Sequence, residues 1–331
     1  MQLQKMSLII IKAGLLDTIQ DEGRFGFQAS GINPGGVMDI FSARLANCLL
    51  GKPMNAPVLE MHFPAPVISF DEATIICLTG ANFTAVINDQ EIQINRPLVV
   101  TKGTVLRFEK AQYGSRSYLS ILNNFRLPQW LNSYSTNLKA GVGGLHGCAL
   151  KSGDSIPFEK TVDLDNYLKE EPYKVLPWWA QSRELPVNKI EVIKGSEWNW
   201  LDKKSKQIFL ETSFTITKVA DRMGYRLSGN AMTLQESKQL VSSSVNFGTI
   251  QLLPSGQLIL LMADHQTTGG YPRVANVISA HLPFLAQSNA GDVFSFVFTD
   301  VEKAEQKLLE QYNYLQLVQH AAGFKIEKFL Q

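Results

Sequence analysis

Leu258-Ile259-Leu260-Leu261-Met262-Ala263 passes without a break into Asp264-His265-Gln266-Thr267-Thr268-Gly269-Gly270-Tyr271-Pro272. The first run is continuously apolar and bounded by turn formers, which predicts a buried strand. The second packs a carboxylate, an amide, two hydroxyls, two glycines and a phenol into nine residues. These polar groups emerge together at a strand end, and their density exceeds what a tight turn needs, so a ligand site is expected. The glycines are expected to bring backbone N–H groups close to a ligand oxygen or to accept positive φ. The competing explanation is a turn whose Asp and Thr side chains bond their own backbone. A pleat continuing through Gln266 puts Asp264 and Gln266 on one face and turns His265 away, toward a packing role rather than proton transfer.

Strand signals extend outward in both directions. Phe83, Ala85 and Ile87 alternate up to Asn88-Asp89, and Ile92 and Ile94 resume beyond it, which predicts a β-hairpin. A second hairpin is expected to turn at Lys102-Gly103, between Leu98 to Val100 and Val105 to Phe108. Met38, Phe41, Leu45 and Leu49 share a helical face, with Asp39 near the N-cap and Gly51 and Pro53 as the stop. The stretch 156–186 is rich in proline and acidic residues and has the character of a connection. Beyond it, strands are expected at Ile190 to Ile193, Ile208 to Ile216, Ile250 to Leu253 and Val293 to Phe298. A terminal helix begins at the capping box of Thr299 and Glu302 and carries Val301, Ala304, Leu308, Tyr312 and Leu315 on its apolar face. The fold class is therefore mainly β with a few helices. The expected domains are a β-rich lobe over 1–155, a connection over 156–186, and a second β-rich lobe with a terminal helix over 187–331.

An internal echo suggests that the lobes are related. Arg24-Phe25-Gly26-Phe27-Gln28-Ala29-Ser30-Gly31 matches Arg222-Met223-Gly224-Tyr225-Arg226-Leu227-Ser228-Gly229 as R-x-G-[FY]-x-x-S-G. If the lobes arose by duplication, the two copies superpose, and Asn82 and Asp264 occupy equivalent strand ends beside a shared site.

Composition narrows the partners. The chain has 331 residues, 45% hydrophobic and 18% charged, with a net charge of +1, which suits a folded globular protein and offers no basic field for nucleic acid or an anionic membrane. Cys48, Cys77 and Cys148 are too far apart to match a zinc pattern, so free thiols are expected, and His62, His146 and His281 form no metal spacing. The apolar stretch Leu8 to Ile11 is too short for a signal-peptide core or a membrane span. A cytoplasmic protein without a metal site is the expectation.

Several catalytic signatures are missing: the phosphate loop G-x-x-x-x-G-K-[ST], the G-x-S-x-G elbow and H-E-x-x-H. Gly141-Val142-Gly143-Gly144-Leu145-His146-Gly147 lacks the third glycine and the βαβ setting of a dinucleotide fingerprint, which leaves a loop beside a site. Asp264 and Gln266 are the candidate catalytic residues. Candidate substrate contacts are Thr267, Thr268, Gly269, Gly270, Tyr271, Asn82, and the arginines Arg24 and Arg222, which suit bidentate binding of a carboxylate or phosphate. Arg24 with Asp21, or Arg222 with Asp221, as structural pairs are the alternative.

Taken in order, Gly14-Leu15-Leu16-Asp17-Thr18-Ile19-Gln20-Asp21-Glu22-Gly23-Arg24, Gly35-Gly36-Val37-Met38-Asp39, Ala46-Asn47, Leu59-Glu60, Leu78-Thr79-Gly80-Ala81, Gly143-Gly144, Gly153-Asp154, Asp221 to Leu227 and Asp264 to Pro272 resemble the allophanate hydrolase subunit-two family. This carboxyltransferase-like family includes the 5-oxoprolinase C subunits and the KipA proteins. The chain departs from the family's usual run at Cys148, Gly195-Ser196 and His281. The resemblance implies two cyclophilin-like β-barrel lobes and work in a complex with a subunit-one (KipI-like) protein and a third protein, the A and B subunits of 5-oxoprolinase. It implies ATP-dependent opening of 5-oxo-L-proline to L-glutamate by the assembly, with ATP bound at the level of the complex and the chain inactive alone. Two other activities occur in this group: antagonism of a histidine-kinase inhibitor, and a urea carboxylase or allophanate hydrolase component.

Overall fold

The computed structural model describes residues 6–159, 164, 167, 173–181, 188–236 and 240–331. The chain divides into two compact units, Met1–Gly23 with Asp39–Arg183 and Tyr312–Gln331, and Arg24–Met38 with Glu184–Gln311. Neither unit is contiguous in sequence, unlike the lobes expected over 1–155 and 187–331. Residues 24–38 are grouped with the C-terminal unit, and the terminal helix is grouped with the N-terminal unit from Tyr312 onward. Of the expected connection over 156–186, residues 160–163, 165–166, 168–172 and 182–186 lie outside the described residues. Within the rest, Tyr173–Val175 is a strand paired with Leu98–Val100.

The N-terminal unit holds two six-stranded sheets. One runs in the order Ser155–Pro157, Ser7–Lys12, Val67–Phe70, Val105–Phe108, Ala85–Ile87, Gln90–Glu91; the other runs Tyr173–Val175, Leu98–Val100, Thr74–Asn82, Tyr113–Ile121, Val58–His62, Thr18–Gln20. Leu8, Ile10, Ile68 and Leu106 of the first sheet share a core with Leu59, Met61, Ile76, Leu78 and Leu119 of the second. The neighbours Ile75 and Cys77 point the other way and pack with Phe41, Leu45 and Leu49 of α1 (Ile40–Leu49). The run Ile75 to Leu78 is apolar without alternation because both of its faces are covered.

Local chemistry sets the turns. Asn88 and Asp89 both have positive φ, 51° and 61°, and Ile87 pairs with Gln90, giving the two-residue hairpin expected there. The hairpin expected at Lys102-Gly103 does not form. Leu98–Val100 pairs with Thr74–Asn82 in one sheet, whereas Val105–Phe108 pairs with Val67–Phe70 and Ala85–Ile87 in the other. The turn carries the chain from sheet to sheet, with Gly103 N–H donating to the Phe70 carbonyl at 2.7 Å. Helix α1 begins where Asp39 Oδ1 accepts from Ser42 N at 2.9 Å, a cap worth about 1 kcal/mol. Met38 precedes that helix and packs in the core of the C-terminal unit.

The C-terminal unit is built on a closed seven-stranded barrel, in the order Lys189–Lys194, Arg273–Val277, Thr249–Leu252, Leu258–Leu261, Gly224–Ser228, Ser213–Ala220, Val293–Phe298. Parallel pairing of Lys189–Lys194 with Val293–Phe298 closes it and removes the free edges. The strand expected over Ile208 to Ile216 is split: α2 (Lys203–Glu211) starts at the N-cap Asp202, and the strand begins at Ser213. Phe209 explains the split, because from the helix it stacks on Phe296 at 4.8 Å and also meets Trp198 and Phe214. After the short α3 (Leu282–Ala286), α4 runs Val301–Leu330. Its first turn is capped by Asp300, whose Oδ1 accepts from Lys303 N at 2.8 Å, rather than by the expected Thr299 box.

The echo does not mark equivalent lobes. Both copies belong to the C-terminal unit. Residues 28–30 of the first copy form a 3₁₀ turn with Phe25 65% exposed, whereas Gly224–Ser228 of the second is a barrel strand that buries Tyr225 and Leu227. Only the second copy has sheet partners, so the same residue pattern adopts two backbones.

Candidate functional site

Arg222 stands in the turn between Ser213–Ala220 and Gly224–Ser228. Asp221 shapes that turn, its Oδ1 accepting from Met223 N at 2.8 Å and Gly224 N at 3.1 Å. The Leu258–Leu261 strand ends opposite it, where Met262 N donates to the Met223 carbonyl at 3.0 Å and Asp264 N to the Arg222 carbonyl at 2.7 Å. These backbone bonds bring the two side chains face to face. Arg222 Nε donates to Asp264 Oδ2 at 2.8 Å and Nη2 to Oδ1 at 3.1 Å. Arg222 is 5% exposed, and a bidentate pair held this deep has a fixed geometry.

The segment 24–38 completes the cluster. Arg222 Nη2 also donates to the Gly36 carbonyl at 2.6 Å. Gly35 has φ +63°, and a Cβ on it would lie 3.0 Å from Arg24 Nη1 and 3.6 Å from Asp264 Oδ1. Arg24 N donates to the Pro34 carbonyl at 2.8 Å, and Arg24 is 1% exposed. Two guanidiniums and a carboxylate thus meet around a glycine turn. Arg24, Arg222 and Asp264 stand out in the sequence; Gly35 and Gly36 join the site only through the structure, although their adjacency ahead of a helix cap marks a tight backbone approach.

The polar motif divides into two parts. Asp264 belongs to a turn, since His265 N donates to the Met262 carbonyl at 3.0 Å and the strand stops at Leu261. The pleat does not continue, so the expected shared face of Asp264 and Gln266 is absent: the Asp264 carboxylate is held by Arg222 and Gln266 is exposed. His265 is buried with Nδ1 2.6 Å from the Gln266 carbonyl, and burial lowers its pKa below the ordinary value. Further on, Thr268–Gly269 pairs with Ser243–Ser244 as a separate two-stranded ribbon. Gly269 and Gly270 do not have positive φ. Gly269 is needed for close approach, because a Cβ there would sit 2.6 Å from Gln251 Nε2. That same nitrogen donates to the Tyr271 carbonyl at 3.1 Å, while the Thr267 carbonyl accepts from Val245 N at 3.2 Å.

The remaining expectations fall elsewhere. Asn82 ends the Thr74–Asn82 strand of the N-terminal unit, where its Oδ1 accepts from Thr84 N at 2.9 Å and its Nδ2 donates to Gln112 Oε1 at 3.2 Å. It borders a cavity of about 290 Å³ lined by Arg96 and Trp179. Asp21 accepts from Ser133, Ser135, Gly23 and Tyr134 within its own unit. The glycine run at 141–147 closes on itself: a Cβ at Gly144 would lie 2.1 Å from Thr136 Oγ1, and one at Gly147 would lie 2.1 Å from the Gly141 carbonyl. Close backbone packing accounts for the glycines at both positions. Among the described residues no group of His, Cys, Asp and Glu is arranged to hold a metal, the three cysteines are free, and no helix is long and apolar enough to cross a membrane.

The chemistry available in the C-terminal unit is therefore a carboxylate fixed by one guanidinium, a second guanidinium across a glycine, and a ribbon of hydroxyls and backbone amides. Such a set suits recognition of an amide or a small anion. Residues 30–298 match the model of the carboxyltransferase domain, subdomain A and B. The chain is 35% identical over 309 residues to the 5-oxoprolinase C subunit of Escherichia coli (strain K12), covering 93% of this chain and 96% of that protein. The 5-oxoprolinase C subunit of Haemophilus influenzae is matched with the same identity and coverage. Among solved structures, the Kluyveromyces lactis urea carboxylase superposes with a TM-score of 0.87 at 25% identity, over 96% of this chain and 30% of that one. By a family match across most of its length, and by two relatives similar nearly end to end, the chain belongs to the family of the carboxyltransferase domain, subdomain A and B.

Proposed function

We propose that this chain is the C subunit of an ATP-dependent 5-oxoprolinase, which opens the lactam ring of 5-oxo-L-proline to L-glutamate together with A and B partner subunits. The observation that carries this reading is the 35% identity to two bacterial 5-oxoprolinase C subunits, spanning 93% of this chain and 96% of each. A five-membered lactam is a resonance-stabilised amide and a poor electrophile. Phosphorylation of its oxygen activates the carbon, water attack breaks the ring C–N bond, and hydrolysis of the resulting acyl phosphate releases glutamate and phosphate.

In this reading Asp264, oriented by Arg222, positions water or the ring N–H. Gln266, Thr267 and Thr268 bind the amide or carboxylate beside the backbone of Gly269, Gly270 and Tyr271, and Arg24 balances negative charge. ATP is held at a subunit junction or on a partner, in keeping with the missing phosphate-loop motif. The chain alone is inactive.

A second reading is a urea carboxylase-type component, favoured by the superposition on the Kluyveromyces lactis enzyme at TM-score 0.87. Urea and 5-oxoproline are both amides, so the same site suits either. Deleting the gene in its host separates the two: accumulation of 5-oxo-L-proline, relieved by re-expression, supports the first reading, and unchanged 5-oxo-L-proline with impaired urea use supports the second.

A further inference from the structure

Arg273 follows the polar motif directly and makes more directed contacts than a surface arginine needs. Its Nε donates to Glu197 Oε2 at 2.9 Å, its Nη2 to Glu197 Oε1 at 2.7 Å, and its backbone N–H to Glu197 Oε2 at 2.9 Å. Glu197 N returns a bond to the Arg273 carbonyl at 3.1 Å. The remaining side-chain contact runs elsewhere, from Nη1 to the Ser244 carbonyl at 3.0 Å. Ser244 is the residue that pairs with Thr268, and Ser243 pairs with Gly269. The backbones are close enough to exclude a side chain at Gly195, where a Cβ would lie 2.1 Å from the Arg273 carbonyl. Glu197 is buried, and the Arg273 guanidinium holds its carboxyl below the usual glutamate range.

We infer that Glu197 and Arg273 are positioning residues that clamp the Ser243–Ser244/Thr268–Gly269 ribbon and so set the site's grip on substrate. This inference rests on the reading of Thr267 to Tyr271 as substrate contacts. The ribbon is two residues long on each side and stands outside the barrel sheet. A two-stranded pair of that length does not hold its own geometry in water, so its fixity comes from anchors. Arg273 is tied to Glu197, which precedes the 3₁₀ turn Trp198–Trp200, and reaches the ribbon with its remaining nitrogen. A carboxylate pairing two nitrogens of a planar guanidinium fixes its direction as well as its position. Asp264 is held separately by Arg222, so loosening the ribbon leaves the carboxylate in place.

The test uses Glu197→Gln in the assembled complex, with Arg273→Lys as a second variant that keeps the charge and loses the fork. Amide hydrogen exchange and steady-state kinetics are measured together. The expected result is at least tenfold faster exchange at Val245 and Gly269, unchanged exchange in Thr249–Leu252, a rise of about tenfold in KM for 5-oxo-L-proline, and kcat within about twofold. Unchanged exchange at Val245 and Gly269 in both folded variants overturns the clamp, whatever the activity. Faster exchange with an unchanged KM overturns its link to substrate, and global loss of protection with loss of assembly in both variants shows a purely structural pair. If the wild-type complex does not turn over 5-oxo-L-proline, the proposed function fails and the exchange result still decides the clamp.

Discussion

Arg222 grips Asp264 across 42 residues of sequence, with Nε 2.8 Å from Oδ2 and Nη2 3.1 Å from Oδ1. The same Nη2 donates to the Gly36 carbonyl, so one guanidinium orders three parts of the C-terminal unit: the turn after Ala220, the end of the Leu258–Leu261 strand, and the segment 24–38. A carboxylate held this way has little freedom to rotate, which is what orienting a water or an N–H requires.

Asp264→Asn keeps the shape and removes the charge. It is expected to lower kcat of the assembled complex at least about tenfold, or roughly 1.4 kcal/mol in the barrier. Because Arg222 then loses its counter-charge, denaturant unfolding should show a loss of about 2 kcal/mol, below the range for fully buried pairs since Asp264 remains partly exposed. Wild-type turnover in this variant removes Asp264 from catalysis.

Gly35→Ala tests the glycine between the two charged groups. Its φ of +63° disfavours alanine, and the new Cβ meets Arg24 Nη1 at 3.0 Å. A loss of about 1 kcal/mol in stability is expected, with turnover falling further than that loss explains because Arg24 is displaced. Denaturant titration beside the rate measurement separates the two effects.

Lys52 gives the N-terminal unit a pH signature. Its Nζ donates to the Ile121 carbonyl at 2.6 Å and more weakly to that of Asn123, and burial lowers its pKa from 10.5 to about 7. Between these values the unfolded chain holds the proton that the folded chain has released, so stability rises with pH. Measured against Lys52→Met, wild type should gain on the order of 4 kcal/mol from pH 7 to 10.5. No difference in pH slope between the two proteins contradicts this assignment.

Asp17 runs in the opposite sense. Burial raises its carboxyl from 3.8 to about 7, against a bond from Gly14 N at 2.7 Å. The folded chain keeps a proton that the unfolded chain loses above pH 4, so the stability contributed is present below pH 3.8 and is lost as pH rises through 7. Asp17→Asn should remove that decline, making the variant relatively more stable at pH 8 than at pH 4 by thermal or denaturant unfolding.

The strands were legible wherever a local signal sufficed. Leu258 to Leu261, Val293 to Phe298 and the hairpin at Asn88-Asp89 follow from apolar runs and turn chemistry alone. Elsewhere tertiary context decides. Lys102-Gly103 has hairpin composition, yet each flanking strand finds partners in a different sheet. Ile208 and Phe209 look like strand residues and sit on α2, because Phe209 has Phe296 and Trp198 to stack against. For the site, Arg24, Arg222 and Asp264 were visible as an unusual residue set. Their convergence was not, since it depends on residues 24–38 joining the C-terminal unit, and no local pattern records that.

The most direct test is ATP-dependent release of L-glutamate from 5-oxo-L-proline by the purified cognate subunits, with this chain supplied or withheld. Turnover only when the chain is present, none from the chain alone, and no stimulation by urea in place of 5-oxo-L-proline is the predicted result. Full turnover without the chain, or turnover of urea instead, contradicts the account.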